Sequence, residues 1–451
     1  MGRKASRFPR EPQVSGIRAL THDGRGIADI DGKTVFVDGA LPGEQVRWER
    51  VKRKRNYDEA RTLEVLAPAD TRTEPVCDAF GRCGGCVMQH MSIDLQLSEK
   101  HKVLADSLER IGGVVPARWL TPLDSRSVNY RRRARLGVRF VDGKGRVLVG
   151  FRERYKPYIT DMQSCPVLVQ PVDTLIQPLA ELIAELSIAR RVPQVEVSVG
   201  DLDDGVLVAM ILRVLDPPND ADLGRLRVFS EAHDVWFMLQ SGGPDSLEVV
   251  ARDNAAEMPG LRYRLPKFDL DMAFSANDFI QVNADMNEKM IAQAIDLLQI
   301  DGKDRVLDLY SGIGNFSLPI ARSAAAVHGV EGAATLTERA RQNAHGNGIT
   351  NATFATADLS EAETVKALLR EPWDLVLLDP ARAGADVFAG LVDQLTARRI
   401  VYVSCHPGTL ARDAGTIVNA WGWHLSAAGV MNMFPHTAHV ESVAVFDRAA
   451  A

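Results

Sequence analysis

The second half of the sequence alternates between strand-like and helix-like segments, and this alternation constrains the fold more than any other feature. From about residue 271, six apolar strand candidates are separated by stretches that favour helices. The strand candidates are residues 305–310, 326–331, 351–355, 373–379, 399–404 and 440–446. Such alternation is typical of a parallel, doubly wound sheet covered by helices. We therefore predict a Rossmann-like α/β domain over residues 271–451.

A Gly-x-Gly turn and a series of acidic residues follow the strands of this predicted sheet. The turn, Gly312-Ile313-Gly314, comes after Asp308 at the end of the first strand. Glu331 ends the second strand, Asp358 follows the third and Asp379 ends the fourth. All of them would lie at the carboxyl edge of the sheet, where open α/β sheets bind ligands.

The sequence of the turn distinguishes between two classes of nucleotide cofactor. Ser317 stands where a Gly-x-Gly-x-x-Gly motif for a pyrophosphate would need its third glycine. A carboxylate at the end of the second strand can accept hydrogen bonds from ribose hydroxyls. These features favour S-adenosylmethionine over a nicotinamide dinucleotide, although any one of the acids could instead cap a helix.

Cys405 ends the fifth predicted strand, at the same edge of the sheet. A lone cysteine is often only a small buried apolar residue, but a thiol beside a methyl donor is a candidate nucleophile. Thiolate addition to C6 of a pyrimidine would make C5 nucleophilic enough to accept a methyl group. A base must then remove the C5 proton. Glu441, at the start of the last strand, is the predicted base, with His436 and His439 as poorer candidates.

The first half of the chain has a different pattern. Short strands and turns over residues 13–67, among them a hairpin at Asp31-Gly32, predict a small β-barrel of the oligonucleotide-binding sort. Residues 92–111 predict a helix, and residues 127–270 look rich in strands. We therefore divide the chain into a barrel (1–68), a central domain (69–270) and the α/β domain (271–451).

Four of the five cysteines could form a second functional site. Cys77, Cys83 and Cys86 are close in sequence, and Cys165 follows 79 residues after Cys86. Four-cysteine zinc sites usually show two close pairs, whereas a four-iron cluster tolerates less regular spacing. We predict a [4Fe-4S] cluster with structural rather than redox function, with zinc as the alternative. Since the cofactor acids lie after residue 271, we expect loss of the cluster to change cofactor binding little.

The distribution of charge predicts a nucleic-acid partner. The chain has 53 basic and 59 acidic residues, which by itself disfavours such a partner. However, residues 1–66 hold 14 basic and 10 acidic residues, and residues 126–156 hold 11 basic and 2 acidic ones. The runs 52–55 and 131–135 are dense enough to suggest phosphate binding rather than ordinary solvated surfaces.

Seven motifs in order resemble one known family, the bacterial 23S ribosomal RNA uracil-5-methyltransferases with an N-terminal TRAM barrel. They are the four cysteines, Asn129 to Arg135, Phe279 to Asn283, Asp308 to Phe316, Asp379-Pro380-Ala381-Arg382, Ser404 to Pro407 and His439-Val440-Glu441. The resemblance covers nearly the whole chain. It implies that Cys405 attacks C6, that Glu441 accepts the proton and that the four cysteines hold a [4Fe-4S] cluster.

The same resemblance implies six contacts to S-adenosylmethionine: Gln281, Tyr310, Asn315, Glu331, Asp358 and Asp379. Tyr310 stands where the family usually has phenylalanine. The resemblance further implies that a helical segment at about 93–126 packs with the methyltransferase domain. The implied substrate is 23S ribosomal RNA at the uracil conventionally numbered 1939.

Two other functions are compatible with these residues. One is methylation of a uridine elsewhere in ribosomal or transfer RNA, and the other is a non-catalytic RNA-binding assembly factor. The basic N-terminus is not followed by an apolar stretch, and no apolar run approaches the ~20 residues of a membrane span. We therefore expect a cytoplasmic protein without an obligate protein partner.

Overall fold

The computed structural model describes residues 11–253 and 257–448. The first ten residues of the predicted barrel domain and the last three of the predicted methyltransferase domain lie outside these ranges. Three larger sheets and one two-stranded sheet organise the described chain. The predicted domain boundaries remain a prediction, and the sheets are described below without them.

The first sheet is a small six-stranded sheet. Its strands are β1 (Gln13–Gly16), β2 (Ala19–Leu20), β3 (Gly26–Ile30), β4 (Lys33–Asp38), β5 (Gln45–Arg53) and β6 (Tyr57–Ala67), in the order β1-β5-β6-β4-β3-β2. Asp31 and Gly32 both have positive φ, which is the geometry a two-residue hairpin turn needs. Trp48 and Val37 are fully buried in its core.

A long helix, α1 (Ile93–Ser107), follows the cysteine loop, residues 68–92, which contains Cys77, Cys83 and Cys86. The Ser92 hydroxyl accepts a hydrogen bond from the Leu95 amide and caps its start. The helix continues as a single π-helical turn, Leu108–Gly112, and Gly113 ends it with φ 63°. A two-residue strand, β7 (Arg118–Trp119), comes next.

The second sheet lies at the centre of the chain. It contains β8 (Arg133–Val141), β9 (Arg146–Gly150), β10 (Gln194–Asp201), β11 (Val206–Arg213), β12 (Val235–Gln240) and β13 (Leu247–Val249), in the order β13-β12-β11-β10-β8-β9. Two helices belong to this region, α2 (Ile176–Glu185) and α3 (Asp220–His233). Asn219 is the N-terminal cap of α3 and forms a capping box with Asp222.

The remaining elements form a two-stranded sheet and the largest sheet. The strands are β14 (Arg262–Leu265), β15 (Leu270–Ala273), β16 (Arg305–Leu309), β17 (Ala326–Glu331), β18 (Ala352–Thr356), β19 (Leu375–Leu378), β20 (Arg399–Ser404), β21 (His424–Met431) and β22 (Glu441–Asp447). The helices are α4 (Ala284–Leu298), α5 (Ser317–Ala321), α6 (Ala334–Gly346), α7 (Ala362–Leu369), α8 (Asp386–Ala389) and α9 (Pro407–Gly415).

The largest sheet has the order β18-β17-β16-β19-β20-β22-β21-β7. Strands β16 to β20 are parallel, and β22 runs antiparallel between β20 and β21. The chain winds one way from β16 to β18 and the other way from β19 onward, so the switch point lies between β16 and β19. The predicted doubly wound α/β fold is confirmed.

The segment that carries α1 and β7 packs on this largest sheet. β7 pairs with β21 at the edge of the sheet. Leu104 and Leu108 are buried in one apolar cluster with Leu410 of α9. At the crossing, a Cβ on Gly415 would lie 2.6 Å from the carbonyl oxygen of Gly112, so the close approach requires glycine.

Candidate active site

A cavity of about 820 Å³ lies at the carboxyl ends of β16, β17, β19 and β20. Its volume is within the range of pockets that bind small molecules. Predicted site residues in its lining are Cys77, Cys83, Cys86, Cys165, Gln281, Tyr310, Asn315, Glu331, Asp379, Cys405 and Glu441. Among the residues assigned to the cofactor, the cluster, the nucleophile and the base, Asp358 is the one that does not line this cavity.

The loop after β16 forms one wall of the cavity. Tyr310, Gly312 and Gly314 all have positive φ, with φ 64° at Tyr310. This conformation is costly for a residue other than glycine, and it is concentrated at functional sites in proteins. At Gly314, a Cβ would also lie 3.1 Å from the Leu318 side chain. The loop therefore depends on glycine for both its dihedral angles and its packing.

Glu331 is held against this loop at the end of β17. Its carboxylate accepts hydrogen bonds from the Gly312 amide at 3.1 Å and from the Ala333 amide at 3.0 Å. These bonds fix the carboxylate at the end of the second strand of the α/β domain, where an acceptor for ribose hydroxyls is expected. The arrangement fits an acceptor for ribose hydroxyls.

Two further carboxyl groups lie near the switch point. Burial raises the pKa of Asp379, at the end of β19, to about 7. Burial also raises the pKa of Asp308 to about 7, and the charges of Asp379 and Glu331 act in the same direction. The Ser317 hydroxyl donates a hydrogen bond to Asp308. Asp379 lines the cavity, whereas Asp308 lies fully buried behind it.

Asn315 and Asp358 are placed differently from the other predicted cofactor residues. Asn315 lines the cavity, but its side-chain amide forms a reciprocal pair of hydrogen bonds with Asn287, both 2.9 Å long. The Tyr263 hydroxyl also donates a hydrogen bond to Oδ1 of Asn315 at 2.8 Å. Asp358 is exposed, and its carboxylate accepts hydrogen bonds from the Ser360 amide and hydroxyl. The Asp358 carboxylate therefore stabilises the turn at residues 358–360.

Cys405 lies between the end of β20 and the start of α9. Burial raises the pKa of its thiol to about 11, helped by the charges of Glu441 and Asp379, while Arg382 acts in the opposite direction. The neighbouring His406 caps α9, where its Nδ1 accepts a hydrogen bond from the Thr409 amide at 3.2 Å. His406 is therefore occupied as a cap, and the structure does not make it a base for Cys405.

Glu441 is the first residue of β22, and its side chain is 3 % exposed. Burial raises the pKa of this carboxyl group to about 8, and the charge of Asp379 adds to the effect. Lys100 and Arg382 act in the opposite direction. A carboxyl group with a pKa near neutrality is well suited to take and release a proton.

The two histidines of the turn before β22 have different surroundings. His439 lines the cavity, and its Nδ1 accepts a hydrogen bond from Arg382 at 2.9 Å. His436 is buried outside the cavity lining, and burial lowers its pKa to about 4. Arg382 was quoted in the Asp379-Pro380-Ala381-Arg382 motif without a role, and the structure places it among Cys405, His439 and Glu441.

The four remaining cysteines also line this cavity, and all are free thiols. Burial raises the pKa of Cys86 to about 11 and that of Cys165 to about 12. Among residues 11–253 and 257–448, no three His, Cys, Asp or Glu side chains are close enough to hold one metal ion. The cysteines and the predicted cofactor residues thus line one cavity, and the small effect of the cluster on cofactor binding stays a prediction.

Two family models match the chain. The TRAM domain model matches residues 16–60, and the tRNA (Uracil-5-)-methyltransferase model matches residues 92–449. The second match covers well over half of the sequence. The chain belongs to the RNA uracil-5-methyltransferase family. It is therefore an enzyme that uses S-adenosylmethionine, and the alternative of a non-catalytic factor is set aside.

Relatives of this RNA uracil-5-methyltransferase cover its whole length. The 23S rRNA (uracil(1939)-C(5))-methyltransferase RlmD of Alkalilimnicola ehrlichii is 48% identical over 450 residues, which cover 100% of both chains. The protein of the same name from Stenotrophomonas maltophilia is 46% identical over 451 residues, covering 99% of this chain and 100% of its own. The family predicted from the sequence is confirmed.

A solved structure supports the fold of this methyltransferase. Pyrococcus abyssi tRNA (uracil-54, C5)-methyltransferase, in complex with S-adenosyl-L-homocysteine, superposes with a TM-score of 0.71. The two sequences are 24% identical, and the match covers 96% of this chain and 100% of the other. At this identity the comparison shows that the two proteins share a fold.

The basic runs of the methyltransferase differ in their surroundings. Within 126–156, many of the basic side chains form ion pairs inside the protein, for example Arg132 with Asp201 and Arg154 with Asp38. By contrast, residues 52–55 are exposed at the turn between β5 and β6. Tyr155 and Tyr158 are exposed beside the cysteine loop.

No described helix is long and apolar enough to cross a membrane.

Proposed function

We propose that this enzyme methylates C5 of one uracil in 23S ribosomal RNA, the position numbered 1939 in the names of its relatives. The observation that carries the proposal is the placement of Cys405 and Glu441 in one cavity with the predicted cofactor residues. The full-length relatives at 46–48% identity support the choice of RNA. A uridine in another RNA is the alternative.

We assign Cys405 as the nucleophile. Its sulfur bonds to C6 of the uracil, and the C5–C6 double bond supplies the electrons that make C5 nucleophilic. Its raised pKa means that the thiol is mostly protonated in the protein without ligands. The positive charge of Arg382 lowers the pKa of the Cys405 thiol and so favours the thiolate.

We assign Glu441 as the base. After C5 has been methylated, its proton must leave before the bond between sulfur and C6 can break. Glu441 is buried beside Cys405, with a pKa of about 8, so the carboxylate form is a strong base that is accessible near neutral pH. His439 is a poorer choice, because its Nδ1 already accepts a hydrogen bond from Arg382.

Five residues are proposed to hold S-adenosylmethionine: Gln281, Tyr310, Asn315, Glu331 and Asp379. When bound, this cofactor supplies an electrophilic methyl group. Glu331 is the proposed ribose acceptor because its carboxylate is already fixed by two amides. Asp358 stays a prediction from the family resemblance, and its exposed position outside the cavity lining gives that prediction no support.

We propose that Cys77, Cys83, Cys86 and Cys165 hold a [4Fe-4S] cluster. Four free thiols that line one cavity, two of them buried and two half-buried, provide the complete ligand set of such a cluster. The spacing of the described side chains does not fit a single ion. Each thiolate of a four-iron cluster binds a different iron atom, so the cluster accepts more widely spaced ligands than zinc does. The basis for choosing iron is this donor set.

We propose that the RNA reaches the cavity along the barrel and the cysteine loop. Residues 52–55 supply exposed positive charge for phosphates, and Tyr155 and Tyr158 supply exposed rings. A uracil inside a folded RNA must leave its stack before it can enter such a cavity, and stacking platforms for flanking bases offset this cost.

The test is transfer of labelled methyl groups from S-adenosylmethionine to 23S ribosomal RNA that lacks the modification. We expect one labelled uridine per RNA, mapped to position 1939, and no transfer to transfer RNA. Cys405→Ala is the matched control and should give no transfer. Label at another uridine, or in transfer RNA alone, would contradict the assigned substrate but not the chemistry.

A further inference from the structure

Lys100 is a buried cation that none of the steps above uses. It lies on α1, far in sequence from the catalytic residues, and is 1 % exposed. Fully buried lysines are rare because removing an ammonium group from water is costly. Its surroundings therefore have to compensate for its charge.

The side chain of Lys100 holds the turn that leads into β22. Its Nζ donates hydrogen bonds to Oδ1 of Asn432 at 2.8 Å and to the carbonyl oxygen of Phe434 at 3.0 Å. Asn432 in turn donates to the Asp124 carboxylate at 3.0 Å. Met431, which precedes Asn432, pairs with Glu441 across the hairpin of β21 and β22. Lys100 thus binds Asn432, the residue next to Met431, which is the pairing partner of the proposed base Glu441.

A second buried polar residue on the same face of α1 holds the same turn. Gln96 lies one helical turn before Lys100 and is fully buried. Its Oε1 accepts a hydrogen bond from the His436 amide at 2.8 Å, and its Nε2 donates to the carbonyl oxygens of Met88 and Met91. His436 has φ 67°, so its conformation needs such support. α1 therefore fixes the turn at three residues.

Charged and titratable groups around Glu441 come from several elements. Asp379 and Arg382 after β19 and Lys100 on α1 act on its pKa, and Asp124 acts on Lys100. Cys405 after β20 and His439 in the turn line the same cavity as Glu441. Asp379 opposes ionisation of Glu441, whereas Lys100 and Arg382 favour it. Arg382 is exposed and bonded to His439. Lys100 is thus the buried cation of this group, where its charge is screened least.

We propose that Lys100 is a positioning residue for Glu441, holding the turn before β22 and supplying the buried positive charge that allows this carboxyl group to ionise. The inference rests on the proposed role of Glu441. Lys100 does not line the cavity, so it acts on the reaction only through the base.

The step that depends on Lys100 is elimination. The C5–H bond breaks, its proton bonds to the Glu441 carboxylate, and its electron pair re-forms the C5–C6 double bond. The bond between C6 and sulfur breaks at the same time, and Cys405 leaves as a thiolate. The base must be ionised beforehand. Burial lowers the pKa of Lys100 itself, while the charges of Asp124 and Glu441 raise it, so the buried charges of Lys100 and Glu441 support each other.

The test compares Lys100→Met with Lys102→Met, an equal loss of charge at an exposed position of the same helix. Elimination is followed as the release of methylated RNA from the covalent adduct over a range of pH. Loss of a nearby opposite charge should raise the midpoint pH of elimination by about one to three pH units. At pH 7, release should therefore slow roughly tenfold to a thousandfold, while formation of the methylated adduct changes little.

Lys102→Met should keep the wild-type midpoint. Lys100→Gln retains hydrogen-bond donors without the charge, and it covers the case in which Lys100→Met does not fold. We expect Lys100→Gln to show the same rise in midpoint. A folded Lys100→Gln variant with the wild-type midpoint would overturn the role of the charge.

A double variant separates this inference from the proposed function. In a Glu441→Gln background, Lys100→Gln should not slow release any further, because the base through which it acts is gone. Additional slowing would mean that Lys100 acts elsewhere and would overturn the proposal. If Glu441→Gln alone released RNA at the wild-type rate, the assigned base would be wrong instead.

Discussion

The carboxyl edge of the largest sheet and the cysteine loop before α1 both line one cavity, but the chain builds them in different ways. At the sheet edge, each functional residue ends its own strand, as Glu331, Asp379 and Cys405 do. The cysteine loop has no regular structure, and its position depends on contacts with distant residues. The amides of Val87 and Met88, for example, donate to the carbonyl oxygen of His436.

Where functional residues follow regular strands, the sequence therefore predicts both their chemistry and their position. For an irregular loop, the sequence predicts only the chemistry. The four cysteines predicted a cluster, but their sequence did not indicate which residues would lie beside it. In the structure the loop contacts the turn that leads to the proposed base at the start of β22, so the two regions are in direct contact. The predictions below test whether they are also connected in function.

The largest effect is expected from the sheet edge. Cys405→Ala removes the sulfur that must bond to C6, so methyl transfer should fall by at least about 10⁴-fold. RNA affinity should stay near the wild-type value, because the thiol contributes little to binding. RNA that contains 5-fluorouracil should no longer form a covalent adduct, as judged by denaturing electrophoresis. An adduct with this variant would show that another cysteine is the nucleophile.

The next largest effect concerns the base. Glu441→Gln should still allow addition and methylation but slow the release of product by about 10²- to 10⁴-fold. Methylated RNA should accumulate as a covalent complex that survives denaturation. The wild-type enzyme should release product faster as the pH rises towards 8, because more of the buried carboxyl group ionises. Normal release from the variant would remove Glu441 from the mechanism.

A change in the cysteine loop tests the connection between the two regions. Cys83→Ser should lose iron and visible absorbance and weaken RNA binding about tenfold or more, because the loop loses its anchor. Because the loop bonds to His436, we also expect slower release of methylated RNA. Cys405→Ser is the matched control and should keep full iron content. If Cys83→Ser changed only RNA affinity, the two regions would be functionally separate, as the sequence alone suggested.

The smallest effect is a change in stability. The pKa of Glu441 is raised from 4.5 to about 8 on folding, so the folded protein keeps a proton that the unfolded chain releases. Its contribution to stability is therefore present below pH 4.5 and is lost as the pH rises to 8. Relative to the wild type, Glu441→Gln should gain roughly 1–3 kcal/mol in the free energy of unfolding between pH 5 and pH 8.

Thermal unfolding at the two pH values measures this gain. The exposed residue Glu338 provides the control, because replacing a surface carboxylate with glutamine should have almost the same effect at both pH values. An equal response of the two variants would show that Glu441 is not held in an unfavourable environment for its charge.

The sequence predicted the fold where local patterns were regular. The six predicted strands of the α/β domain all occur, and Asp31-Gly32 forms the expected turn. β21 escaped prediction because it contains several small residues, and β7 because it has only two residues. α2 and α3 were missed in a region that appeared to consist of strands. α2 has a clear apolar face at helical spacing that was overlooked among the strand candidates, whereas the apolar periodicity of α3 is weak.

The site was predictable to a similar degree. Cys405, Glu331 and Asp379 could be found because a strand end gives a residue a known position. Lys100 and Gln96 could not, since their partners lie more than 330 residues away in sequence. The basic stretch at 126–156 misled the sequence analysis in part, because ion pairs such as Arg132 with Asp201 occupy side chains that were expected to meet RNA. The expected cytoplasmic location stays a prediction.

The position of β22 gives the enzyme an order of assembly in time. This strand lies between β20 and β21, yet the ribosome synthesises it after every other strand of the sheet. Until it inserts, the nascent chain has a gap in the middle of its sheet and lacks the turn that α1 holds. The nucleophile and the cofactor residues are thus made before the base, and insertion of a single strand completes the sheet and the catalytic set together.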